Sequence, residues 1–164
     1  MLQSLFEWLQ AWPVSQGIRE SSWMFPAFES VHVIAITLVV GSVVIVDLRV
    51  LGLTSRRVAV TNLSHYVLQW TWAMFLLASI SGGFMFAAKA STYFDNTPFK
   101  VKMLLMLAAG LNMLLFHFGP FRVVQTWNQD VASPMRARIF CGFSLVLWVL
   151  VVVMGRLIGF TVEG

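Results

Sequence analysis

Four long apolar runs, each near the length a helix needs to cross a bilayer, limit what this chain can fold into. A crossing of about 30 Å of hydrocarbon takes about 20 helical residues. The runs cover residues 25–48, 66–88, 101–118 and 139–160. A segment alone in lipid must satisfy its own backbone, so each run reads as a helix. Short connections then predict an all-α integral membrane protein, a four-helix up-down bundle. Composition agrees, with 59% of residues hydrophobic and 11% charged, where a soluble domain carries about 25% charged. A water-soluble domain of this size has too few polar residues to cover so much apolar surface.

The bundle is preceded by a different pattern. Leu2, Leu5, Phe6, Leu9 and Trp12 recur at helical spacing, polar residues take the other face, and Pro13 ends the run. This segment is too short to span. It fits either a short interfacial amphipathic helix or a helix capping the bundle. The chain therefore divides into an interfacial segment, 1–22, and a four-transmembrane-helix domain, 23–164. No basic stretch precedes an apolar core as in a secretory signal, so the start is expected to remain uncleaved. Cys141 is the single cysteine; it allows no internal disulfide and no CxxC site, and reads as a small packing residue.

The formal net charge of +4 comes from lysines and arginines placed in the connections. That suits lipid headgroups and excludes nucleic acid as a partner, since no basic stripe with interleaved polar residues is present. Arg49, Arg56, Arg57, Arg122, Arg136 and Arg138 flank one membrane face. Arg19, Lys89, Lys100, Lys102 and Arg156 lie toward the other. The excess on the first face predicts both termini outside, periplasmic in a bacterial inner membrane.

Ionisable residues inside a span are expensive and tend to face the bundle. Glu29, His32, Ile36, Val43 and Asp47 share one face of the first span. His65, Gln69, Trp72, Leu76 and Ser79 align in the second, and Lys102, Met106, Met113 and His117 in the third. Each of the three histidines thus sits on a stripe expected to look inward. At 1.5 Å per residue, His65 and His117 fall within about one turn of each other in depth. His32 lies roughly 15–20 Å away along the membrane normal. A haem b held by two histidines needs ligands on separate helices at similar depth, which His65 and His117 approximate. Arg49, Arg56 and Arg122 suit its propionates. His32 is the candidate for a second haem, with Lys102 and Arg156 near its propionates, and Gln69 and Asn112 are candidate tuning groups. Di-haem membrane cytochromes supply four histidines, and this chain has three.

Plainer readings stand beside these. His65 at a helix mouth can be interfacial, and His117 near Gly119-Pro120 can cap a helix end. Lys102 can snorkel to the headgroups. Glu29–Arg156 and Asp47–Arg49 can be simple ion pairs. Met103, Met106 and Met113, with Met74 and Met85, raise the idea of Cu(I), although their spacing lacks a tight Met-x-x-Met cluster.

The stretch WMFPAFESVHVIAITLVVGSVVIVDLRVLGL (Trp23 to Leu53), with PFKVKMLLMLAAGLNMLLFH (Pro98 to His117), resembles a family of small bacterial four-helix inner-membrane proteins of unknown function. The resemblance covers most of the chain and implies the architecture and the membrane. It supplies no activity; family-like positions are His32, Asp47, Arg49, Lys102, Asn112 and His117. The likeness to four-helix cytochromes b is one of architecture alone. Three functions are expected to compete: a b-type haem electron carrier, linked to quinone; a proton-coupled transporter or oligomeric channel using Glu29, His32, Lys102 and Arg156; and a non-catalytic subunit or scaffold. A homo-oligomer or a redox partner protein fits each. No nucleophile–base set or phosphate loop is present, which argues against hydrolase or kinase chemistry.

Overall fold

The computed structural model describes residues 2–55 and 57–162, and every described regular element is helical. The elements are α1 (Leu2–Ala11), α2 (Pro13–Glu20), α3 (Met24–Leu51), α4 (Val60–Ala88), α5 (Ala90–Asp95), α6 (Thr97–Phe118), a 3₁₀ turn (Pro120–Thr126) and α7 (Met135–Val162). Helices α3, α4, α6 and α7 are each long and apolar enough to cross a membrane. Exposed side chains such as Leu104, Leu107, Ile139 and Phe143 cover their outer faces, as lipid contact requires. The chain is a multi-pass membrane protein built as an all-α bundle.

The helices overrun the apolar runs where something caps them. Residues 62–65, expected as the approach to the second span, are helical, because a distant loop holds that end. Val60 N–H donates to the Asn128 carbonyl (3.0 Å) and Thr61 N–H to Asn128 Oδ1 (2.9 Å). Two of the amides that a helix start leaves without partners are thereby satisfied. Helix α3 stops at Gly52, whose φ of 82° is the left-handed turn of a helix C-terminus. At α6, the Asn96 side chain accepts from Phe99 N–H (3.0 Å) and Pro98 sits in the first turn.

Two expected connections are helices instead. The polar stretch after Pro13 forms α2, with Pro13 at its first position and Ser15 and Ile18 buried. The connection between the second and third runs, residues 89–100, contains α5. Helix α1 packs on the end of the bundle. Phe6 packs on Phe94 (4.8 Å between ring centres) and Phe86 (6.3 Å), and Gln10 meets Ser91 Oγ (2.9 Å), so α1 caps the bundle. Its other face leaves Trp8 65% exposed, as an interfacial helix would.

The spanning helices pack as two pairs, α3 with α4 and α6 with α7, and α3 against α7 joins them. Small residues bring α3 and α4 close: Ala35, Val39, Ala78 and Ser81 are buried there. Gly82 is required, since a Cβ on it would lie 2.8 Å from His32 Cε1. Among the described residues α4 and α6 do not pack along each other. The end of the bundle bearing the α3–α4 and α6–α7 connections is sealed by a core of Val50, Val60, Phe116, Val124, Trp127 and Ala137 with Cys141.

Candidate functional site

The unpaired flanks of α4 and α6 leave a cleft in the middle of the bundle. It is walled by α4 from Ser64 to Phe75 and by α6 from Met106 to His117, with α3 and α7 behind. The eleven steps from Ser64 to Phe75 give it a length of about 16 Å along the helices. Its volume is about 190 Å³. Phe116 and Cys141 belong both to the cleft wall and to the sealed core, so the cleft is shut toward the connections. The two helices that wall it, α4 and α6, do not pack along each other among the described residues.

His117 stands on the α6 wall, as the spacing from Met106 and Met113 requires, and both methionines line the cleft with it. Its Nδ1 is 2.9 Å from the Met113 carbonyl. A carbonyl can only accept, so Nδ1 carries the proton, and in the neutral ring Nε2 holds the lone pair. Phe121 (5.0 Å) and Phe116 (5.7 Å) pack on the imidazole and fix its plane.

On the back wall, Asp47 of α3 lies against Ser144 and Cys141 of α7. It is 6% exposed, and its Oδ2 has no hydrogen-bond partner among the described residues. Leaving such an oxygen unsatisfied costs about 1–3 kcal/mol. Other polar groups of the wall are engaged: Asn112 donates to the Phe140 carbonyl (3.1 Å) and Thr71 to that of Val67 (2.8 Å).

The remaining candidates do not converge on this cleft. His65 is exposed and meets Tyr66 edge-on at 5.8 Å. The inward face of α4 runs through Ser64, Leu68, Thr71 and Phe75, one residue out of register with the expected stripe of His65, Gln69, Leu76 and Ser79. Trp72 alone of that stripe lines the cleft. That register is held by the Asn128 bonds to Val60 and Thr61 in the first turn together with the Ser42–Thr71 and His32–Ala78 bonds to α3. The expected facing pair of His65 and His117 is therefore corrected: one ring lines the cleft and the other points away.

His32 lies nearer the end bearing the chain termini, between α3 and α4. Its Nδ1 donates to the Ala78 carbonyl (2.8 Å), with Ser81 Oγ at 3.1 Å, and its ring rests on Gly82. Lys102 is within electrostatic reach of it and tucks its ammonium against Gly155. Arg156 is exposed and lies over the Phe160 ring (4.7 Å), and no ion pair with Glu29 forms. Arg49 is 1% exposed and donates from Nε to the Val58 carbonyl (2.8 Å) and from Nη2 to that of Asn128 (3.1 Å). It ties two connections together and is not turned toward a cofactor edge. Arg122 is exposed over Phe118 (5.7 Å), and Arg56 lies outside the described residues. Met74, Met85 and Met103 are away from the cleft, so the methionines do not gather into a copper site. Among the described residues no three His, Cys, Asp or Glu side chains are grouped to hold a metal ion.

The cleft itself was not legible from stripes on single helices, because it depends on which helix pairs fail to pack. Asp47 did stand out as a carboxylate inside a span; only the packing shows that one of its oxygens is left over. The sequence profile of a family of unknown function (DUF6644) matches residues 5–161. No curated protein and no solved structure matches the chain.

Proposed function

The chain belongs to the DUF6644 family, a family of unknown function, and we propose that it is a membrane protein that takes a quinone-type ring from the lipid into its central cleft in the service of electron transfer. The cleft carries this reading. Its 190 Å³ slightly exceeds the roughly 150 Å³ apolar cavity that admits benzene, so a single substituted ring is the size of ligand that enters without moving the helices. Entry between α4 and α6, which do not pack along each other among the described residues, suits a ligand that arrives through the bilayer. Mostly apolar walls with a few placed polar groups, His117 and Asp47 foremost, are the usual make-up of such a site. Electrons reach or leave the ring through a redox partner, in a bacterial inner membrane with both termini outside.

The test is a titration of the detergent-purified protein with a short-tailed benzoquinone, following tryptophan emission, since Trp72 and Trp148 stand on the cleft wall. Saturable quenching is expected. Quenching that only rises in proportion to quinone dissolved in the micelle contradicts the reading.

A second reading, a b-type haem, has one observation in its favour. His117 gives its Nδ1 proton to a backbone carbonyl and keeps Nε2 for a ligand, the arrangement typical of metal-binding histidines. A haem there has one histidine from this chain, and a porphyrin is larger than the cleft, so α4 and α6 have to separate to admit it. Protein purified from haem-sufficient cells should then show a Soret band that shifts on dithionite reduction and disappears in His117→Ala; a colourless preparation removes this reading and leaves the first untouched. The transport reading draws on Glu29, His32, Lys102 and Arg156 near one face, of which Arg156 is exposed.

A further inference from the structure

The wall that α3 and α7 give to the cleft includes a carboxyl group that the protein's own side chains do not finish satisfying. Asp47 is more than nine-tenths buried, stands on that wall, and has Ser144 and Cys141 beside it. Its Oδ2 is shielded from water and without a hydrogen-bond partner among the described residues. Buried polar atoms are nearly always paired, and an orphan points to something that completes it. Asp47 lines the cleft, and the final torsion of an aspartate is broad, so its two carboxyl oxygens can exchange places by rotation about one bond. The nearest basic residue along α3, Arg49, commits its Nε and Nη2 to the carbonyls of Val58 and Asn128.

We propose that Asp47 receives the hydroxyl of a phenol- or hydroquinone-type ring, so that the cleft prefers a hydroxyl-bearing ring to the same ring without one. This rests on the cleft being a ring site and narrows what the ring must carry. A hydroxyl both donates and accepts, and so it satisfies a carboxyl group in either protonation state. A ring carbonyl serves only the protonated carboxyl, and an ether oxygen brings no donor to an ionised one. His117 strengthens the preference from the α6 wall. With its Nδ1 proton given to Met113, the neutral ring offers Nε2 as a second acceptor for a hydroxyl. The sealed core below closes the cleft toward the connections, so a ring enters sideways between α4 and α6.

The test uses the full chain in nanodiscs with three probes: a short-tailed hydroquinone, its dimethyl ether and the matching quinone. Binding is read as saturable tryptophan quenching. The hydroquinone should bind about tenfold more tightly than the ether, the effect of one buried hydrogen bond. Asp47→Leu should erase that ratio, and Asp47→Asn, which still donates and accepts, should keep most of it. Equal affinities for hydroquinone and ether, or a ratio that survives Asp47→Leu, overturns the role given to Asp47. Either outcome leaves the cleft standing as a ring site; no saturable binding by any probe removes both.

Discussion

His32 shows how one side chain can hold two helices at a fixed spacing. Its ring lies where a side chain at position 82 would be, and its Nδ1–H closes on the Ala78 carbonyl of the same helix. Gly82→Ala forces the ring or α4 to shift and is expected to lower stability by about 1–3 kcal/mol, the usual effect of overpacking. In a His32→Ala background the same change meets empty space and should cost much less. Thermal unfolding of the two single variants and the double variant checks this; simple additivity within about 0.5 kcal/mol would show that the two positions do not touch. The residue scale also explains what sequence reading got right and missed. His117 was legible because Met106, Met113 and His117 repeat at the helical period and do line one wall. His65 was misplaced because one residue of helix is a rotation of about 100°, and nothing near His65 in sequence reveals that rotation.

Asn128 helps to hold it, from 67 residues downstream of Thr61. At the scale of elements, this is the general reason why the four spans were legible and their ends were not. Apolar runs announce the part of a helix inside lipid, whereas the extra turns of α4 exist because a loop residue caps them. Asn128→Ala keeps the backbone carbonyl bond to Val60 and loses the side-chain cap on Thr61. It is expected to cost about 0.5–2 kcal/mol and to raise amide exchange over residues 60–64, with the middle of α4 unchanged. Uniform exchange along α4 would contradict the clamp. The α4–α6 gap yields a second expectation at this scale. Gly110 lies on the cleft wall, and a Cβ there meets nothing within 4 Å. A phenyl ring starting from that open position narrows the cleft, and Gly110→Phe should abolish ring binding while leaving the unfolding temperature near that of the parent. Retained binding with a bulky residue at 110 would place the ring elsewhere.

For the whole molecule, the membrane class followed from the apolar runs alone, and the structure bears out a four-helix all-α bundle. What no single run could convey is the unequal pairing. Two tight helix pairs meet along α3 and α7, while α4 and α6 touch where Phe86 stacks on Phe99 (5.5 Å) and do not pack along each other. That asymmetry leaves a cleft in the bundle, and it gives Asp47 and His117 a common space to face. The most direct check is a quinone titration of the parent protein and Gly110→Phe side by side in nanodiscs, following tryptophan emission. Saturable quenching in the parent that collapses to the linear background in Gly110→Phe is the expected result. Identical curves for the two proteins, saturable or not, would contradict the claim that the cleft between α4 and α6 is where this chain binds its ligand.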